Sequence, residues 1–546
     1  MSRSLESRFA VTFRPDGSLE VVSFDATGYN ASTLEIPAEI SGRPVKAVKI
    51  IFSETDDLEL ESIVLPDGLE RVDDGMFEYC NKLNKIVIPE GVREIGKGAF
   101  ASCSALTQVV IPAGVRKIGY NAFASCSALT QVVIPASVRE IGEGAFSHCS
   151  ALTQVVIPEG VRKIGENTFS HCSALTQVVI PEGVREIGES AFSHCSALTQ
   201  VVIPASVREI GESAFSHCSA LTQVVIPASV REIGESAFER CDALRNVDVS
   251  PENPRFKSVD GVLFDAETKT LLHYPADKDA TVYRVPDGVE QIGCEAFAHA
   301  KRLVEVRLPT SLKHVEYQAF FGCDGLTEIL LPPNLEWIDG SAFAECSRFT
   351  QFNVDPAHPF FESVDGVLFD ARLKTLRAFP VGQDATVYRV PDGVERVGLF
   401  AFSHSTRLTE ILFPESLRNV DDFAFSHCSN LTRLDFPSGL RQIARTIVAA
   451  CSALDEIRIP ASVKKIDKNA FSASLTSSAS DALTLIVDAG SEAERFARAA
   501  GIRFQLADDL DDGSSPDRDA LPSADFDDDR DVYYDPYFDA GFDDAP

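Results

Sequence analysis

The sequence is short of bases, with 50 Lys and Arg against 82 Asp and Glu and a formal net charge of −32. Such a balance repels nucleic-acid phosphates and anionic membranes, so no nucleic-acid partner is expected. It is also short of long apolar runs. The opening stretch "MSRSLESRFAVTFRPDGSLEVV" lacks the apolar core of roughly 7–15 residues that a signal peptide needs. Nothing approaches the roughly 20 apolar residues of a membrane helix. A cytoplasmic placement and no membrane span are therefore expected, with the cell surface, by another export route, as the alternative. Signatures of catalysis are missing too. There is no glycine-rich phosphate loop, no Gly-x-Ser-x-Gly elbow and no His-Glu-x-x-His. No enzyme, no cofactor and no catalytic residue are expected.

What is present is repetition. Residues 171–193 read "HCSALTQVVIPEGVREIGESAFS", and residues 194–216 read the same except for Ala205 and Ser206. The working unit is C-x-x-L-x-x-V-x-I-P-x-x-V-x-x-I-G-x-x-A-F-x-x, 23 residues long. Gln131 to Ile134 has strand chemistry, with Val132 and Ile134 on one side and Val133 on the other. "SVREIG" makes a second extended piece, with Val138 and Ile141 inward and Arg139 and Glu140 outward. Pro135 and the glycines punctuate the turns. One unit cannot bury its apolar side alone, so the units must stack into a solenoid with a long parallel sheet. Fifteen repeats on the proline grid imply an arc of about 70–80 Å.

Two segments interrupt the grid. "FKSVDGVLFDAETKTLLHYPADKDATVYRVPDGVEQIG" starts at Phe256, and a close copy starts at Phe361, 105 residues on. Both read as strands joined by turns at Asp260-Gly261 and Asp365-Gly366. The chain then divides into an N-terminal β cap at 1–36, a first repeat block at 37–248, an insert at 249–285 and a second block at 286–353. A second insert at 354–390, a third block at 391–474, a helical cap at 475–507 and a disordered acidic tail at 508–546 complete it. In the cap, Ser491 and Glu494 have the spacing of a capping box. Phe496, Ala499 and Ala500 are expected to face the last repeat, and Gly501 to stop the helix.

The 23-residue unit, the "SVDGVLF…YRVPDGV" insert, the opening "LEIPAEISGRPVKAVKIIF" and the ending "LTLIVDAGSEAERFARAAGIRFQ" together resemble the BspA-like leucine-rich repeat proteins of bacterial and protist surfaces. The resemblance covers about residues 10 to 507. It implies a leucine-rich repeat solenoid with short turns or 3-10 segments between strands. It implies no particular ligand, because that family shares an architecture.

Several columns of side chains invite a role. Val87, Val110, Val133, Val156, Val179, Val202 and Val225 occupy one outward position, beside Gln108, Gln131, Gln154, Gln177, Gln200 and Gln223. An exposed apolar stripe of this kind suits a protein partner or self-association; the alternative is strand propensity copied by duplication. His148, His171, His194 and His217 form another column, read as a solvated turn ladder, because a line of imidazoles does not converge on a metal. Arg139-Glu140, Arg185-Glu186 and their kin read as a salted, soluble face. Cys80 to Cys241, eight cysteines at the 23-residue spacing, read as a buried reduced column. The tail carries 15 Asp and 2 Arg, with Tyr533, Tyr534 and Tyr537 as candidate docking residues. Asp509, Asp511 and Gly513 miss the register of a calcium loop. The reading is thus a protein-interaction scaffold. Its alternatives are a surface adhesin for host matrix or other cells and a self-associating structural protein.

Overall fold

The computed structural model describes residues 5–27, 29, 31–52, 60–471 and 483–510. Each repeat is one rung with three sides. The first side is a three-residue strand such as Gln131–Val133, exposed, buried, exposed. It pairs in parallel register with the rung before, Gln108 with Gln131 and Val110 with Val133. After Pro135 the chain turns into a two-residue strand, Glu140–Ile141, which pairs with Lys117 and Ile118. The third side carries no strand, yet its backbone is bonded between rungs. Phe123 N–H donates to the Ala145 carbonyl at 2.8 Å, and Phe146 N–H to that of Thr168 at 2.9 Å. These rungs are therefore bonded to their neighbours on all three sides, which satisfies the polar backbone around a largely apolar core.

Two residues per rung sit in the left-handed region, for example Gly144 (φ 63) with His148 (φ 57), and Asn167 (φ 52) with His171 (φ 58). Glycine, asparagine and histidine tolerate that conformation better than branched residues do. Most of these corners in the first block are written in Gly, Asn, Ser and His.

The core is built of columns. Phe100, Phe123, Phe146, Phe169, Phe192, Phe215 and Phe238 stack with ring centroids 5.0 to 5.8 Å apart. Beside them the cysteine column is buried and free, apart from Cys80, which is half-buried. From Cys103 to Cys241 each thiol donates to a phenylalanine carbonyl of the previous rung, as Cys126 Sγ does to Phe100 at 3.1 Å. Burial pushes the Cys126 thiol up to about 12, so it stays protonated and unreactive.

Each insert is a three-stranded antiparallel meander: Phe256–Val259, Val262–Asp265 and Thr270–His273 in the first. Asp260 (φ 51) and Gly261 (φ 78) make its tight turn, the backbone that a two-residue hairpin favours. The third strand then pairs in parallel with the next repeat, Thr270 with Gln291. The second insert repeats this at Phe361–Val364, Val367–Asp370 and Thr375–Ala378. The middle strand of each insert is a party wall. Leu263 packs into the core of the rungs before it, whereas Val262 and Phe264 pack into the core after it. Leu368 and the Val367–Phe369 pair divide in the same way.

The ends are closed differently. At the N-terminus Phe9–Phe13 pairs antiparallel with Leu19–Phe24. At the other end the helix Glu492–Ala500 is capped by Ser491, whose hydroxyl accepts from Glu494 N–H at 3.1 Å, and Gly501 (φ 67) ends it. Its inward stripe differs from expectation. Ala499 and Ala500 are exposed, and Ala493 and Ala497 are buried instead. The four-residue step fixes Ala493 with Ala497 on the core side, and the last turn runs past the end of the solenoid. Phe496 is half-buried, edge-on to Phe471 at 5.8 Å.

Candidate functional site

The outward columns of the first strand row form the most regular surface of the molecule. Val110 is 73% exposed, Val133 72%, Val156 60%, Val179 55%, Val202 76% and Val225 50%. The register of the pairs, Gln154 with Gln177 and Val156 with Val179, places like on like. Gln200 joins through a single bridge to Gln177. Beside the glutamines runs a threonine column whose hydroxyls donate to the preceding threonine carbonyl, as from Thr176 to Thr153 at 3.1 Å. From Gln108 to Val225 these columns hold no charge, in a chain of net charge −32. At strand spacing the six valines make a stripe about 24 Å long. Tyr533, Tyr534 and Tyr537 lie outside the described residues.

A neighbouring column departs from expectation. The histidines are not a solvated ladder: His171, His194 and His217 are half-buried. The rings of His148, His171, His194 and His217 stack at 4.0 to 4.2 Å. Burial first, then the neighbouring histidines and Arg240, hold the His217 imidazole down to about 3, so it is neutral at pH 7. A protonated stack at this spacing would place like charges face to face. Among the described residues, no group of three or more His, Cys, Asp or Glu is arranged to hold a metal ion.

The outer Arg-Glu row is an exposed, charged face, and its arginines bond within their own turns. Arg139 turns back and donates to the carbonyls of Ala136 and Val138 at 2.6 and 3.0 Å. Arg231 does the same to Ala228 and Val230. Gly160 leaves the room, because a Cβ there would lie 2.2 Å from Arg139 Nη1. The ion pairs run between rungs through lysine instead, Lys117 to Glu140 at 2.6 Å and Lys163 to Glu186 at 2.5 Å.

Sequence reasoning missed one cluster. Glu239 and Glu295, from the rungs on either side of the first insert, come together in the fold. The signal was present: Glu239 falls in a column of Ser147, Ser170, Ser193 and Ser216, and Glu295 in one of small corner residues.

Comparison with known proteins agrees with the rung geometry. The model of the BspA type leucine rich repeat region matches residues 50–174, 140–260, 276–370 and 377–481. The chain is similar to a leucine rich cell surface protein of Faecalibacterium prausnitzii, at 24% identity over 90% of this chain and 95% of that one, with a TM-score of 0.40. It is also similar to leucine-rich repeat proteins of Bacteroides ovatus (21%, 91% and 98%, TM-score 0.35) and Eubacterium ventriosum (19%, 80% and 91%, TM-score 0.37). No curated protein matches. Among the described residues, no helix is long and apolar enough to cross a membrane. The match to the BspA type family counts against the cytoplasmic placement expected from the opening residues, and that expectation does not stand. The family matches span well over half of the sequence, and the chain belongs to the BspA-type leucine-rich repeat family.

Proposed function

We propose that this chain is a cell-surface recognition protein that captures a protein partner on the uncharged valine and glutamine columns of its first block. The exposed valine stripe carries this reading. Valine side chains left outside the core supply apolar area for a partner, and the glutamine amides beside them supply donors and acceptors that fix its register. The role is recognition and adhesion, without catalysis. The acidic surroundings keep nucleic acid away and favour a partner with a basic rim.

Two experiments test it. Protease treatment of intact cells, with lysed cells as control, reads placement: loss of the protein from intact cells supports the surface role, and survival until lysis sinks it. Beads coated with the full chain are then scored on immobilised extracellular-matrix proteins. The double variant Val156→Lys, Val179→Lys is expected to bind at least about tenfold more weakly, since two ammonium groups would be buried at an apolar contact. Equal binding by both forms removes this face from the proposal. Clumping of the beads on one another, abolished by the same variant, would identify the partner as a second copy.

A further inference from the structure

The two inserts are near copies, but the seams they create are chemically different. A normal rung turns a corner with two left-handed residues. Each insert passes the phenylalanine stack without such a corner. Tyr274 takes the phenylalanine place, its N–H donating to the Ala296 carbonyl at 2.7 Å and its ring stacked on Phe297 at 5.1 Å. No residue from Thr270 to Asp287 has a positive φ. The corner before the insert, residues 236–240, therefore closes directly on the corner after it, residues 295–299.

At this seam two carboxyls meet. The Glu239 and Glu295 side chains lie within hydrogen-bonding reach of each other. Ser236 Oγ donates to Glu295 at 2.5 Å, and Ser216 Oγ to Glu239 at 3.4 Å. Glu295 is 9% exposed. Two carboxyl groups can hydrogen-bond to each other only if one keeps its proton. We propose that this seam is a proton-operated hinge, closed while Glu239 and Glu295 share one proton and loosened when both ionise.

The surroundings are suited to one negative charge and not to two. Arg240 is the cation facing both carboxyls, and Asp242 adds a further anion on the Glu239 side. Tyr317 and Cys294 lie beside Glu295, and burial pushes the Cys294 thiol up to about 12 and the Tyr317 phenol upward. Both stay neutral and supply no balancing charge. His217 and His299, beyond Arg240, are likewise held neutral at pH 7. Burial, then Glu239, pushes the Glu295 carboxyl up to about 8. The direction in pH follows. The folded seam holds a proton that the unfolded chain has already released, so its contribution falls as pH rises through about 8. The second seam has none of this. The places of Glu239 and Glu295 are taken there by Ala344 and Phe400, and Glu345 Oε1 lies 3.4 Å from His404 Nδ1 instead.

The test uses the whole chain and needs no partner, so it stands apart from the recognition role. Amide hydrogen exchange is followed at residues 295–300 and at the matching corner 400–405, between pH 7 and pH 9, after correction for the intrinsic rate. Opening of the first corner is expected to rise about tenfold by one unit above the midpoint, with no matching rise at the second. Glu295→Gln, whose amide donates to Glu239 without a titrating proton, should abolish the step, and Glu239→Gln should act alike if the first variant folds poorly. No step in the wild type, or a step of the same size in the glutamine variants, overturns the hinge.

Discussion

The near-identical rungs of residues 103–238 and the varied rungs of residues 391–474 share one interior. Phe192 and Phe425, Cys195 and Cys428, Leu198 and Leu431 are all fully buried. Outside, they have little in common. The valine and glutamine columns of the early rungs become Glu410 and Leu412, Arg433 and Asp435, then Glu456 and Arg458. Arg433 pairs there with Asp435 within its own strand and lies 3.8 Å from Glu456 of the next rung. Inward positions are held by packing, because a stacked column accepts only the volume its neighbours leave. Outward positions are not held by the fold at all, as the third block demonstrates. The uniform face of the first block is therefore not a requirement of folding.

The largest effects should be alike in the two regions. Phe192→Ala and Phe425→Ala each remove a fully buried ring, with an expected loss of about 3–5 kcal/mol. The measurement is the denaturant midpoint of each variant. A loss at one site and none at the other would break the equivalence of the two interiors. The next effect should separate the regions. Val156→Lys with Val179→Lys should weaken partner capture at least about tenfold, whereas Leu412→Lys, on the same column of the third block, should leave it intact. The valine pair should move stability by no more than about 0.5 kcal/mol, since both side chains are exposed. Loss of capture from Leu412→Lys would show that the recognising face extends beyond the uniform rungs.

Acid should also distinguish them. The first block stacks four imidazoles, and the third stacks two, His404 and His427, at 4.4 Å. His217 is held from its ordinary 6.5 down to about 3. As pH falls below 6.5 the unfolded chain takes up a proton that the folded chain refuses. Stability present above that pH is then lost progressively toward pH 3. Each site contributes at most about 1.4 kcal/mol per pH unit, and less where the ring is half-exposed. His194→Ser with His217→Ser, the residue that occupies this corner at Ser102 and Ser125, should flatten the acid limb of a thermal-stability profile. An unchanged limb would mean that the stack carries no proton penalty.

The legible and illegible parts of this molecule divide along a physical line. A residue whose role is set by period and polarity could be read from the sequence: the cysteine column, the inward Val132 and Ile134, the outward Val133, the Asp260-Gly261 turn. A residue whose role is set by a neighbouring rung could not. Arg139 was legible only as part of a charged face and is a cap for its own turn, its guanidinium reaching the Ala136 and Val138 carbonyls where Gly160 leaves room. The histidines looked solvated because the column was visible while the tight stacking distance was not. Glu239 and Glu295 were invisible as a pair, since only a skipped corner brings them together. The uniform valine face was legible as geometry. What it binds was not, because a surface states the shape and charge of its partner and leaves the partner unnamed.

The smallest effect tests whether the charged face of the third block matters to the fold at all. Arg433 pairs with Asp435, and both side chains are exposed. A pair in water gives back in lost side-chain freedom and screening much of what it gains in attraction. Arg433→Ala should then lower stability by about 0.2–1 kcal/mol, a shift that vanishes at high salt. The matching change in the first block, Gln177→Ala, removes no charge and should show no salt dependence. If Arg433→Ala were as damaging as Phe425→Ala, the outward columns of the third block would be structural after all. The contrast between its varied face and the uniform one would then reflect two ways of stabilising a rung, and the argument that the valine columns exist for recognition would lose its control.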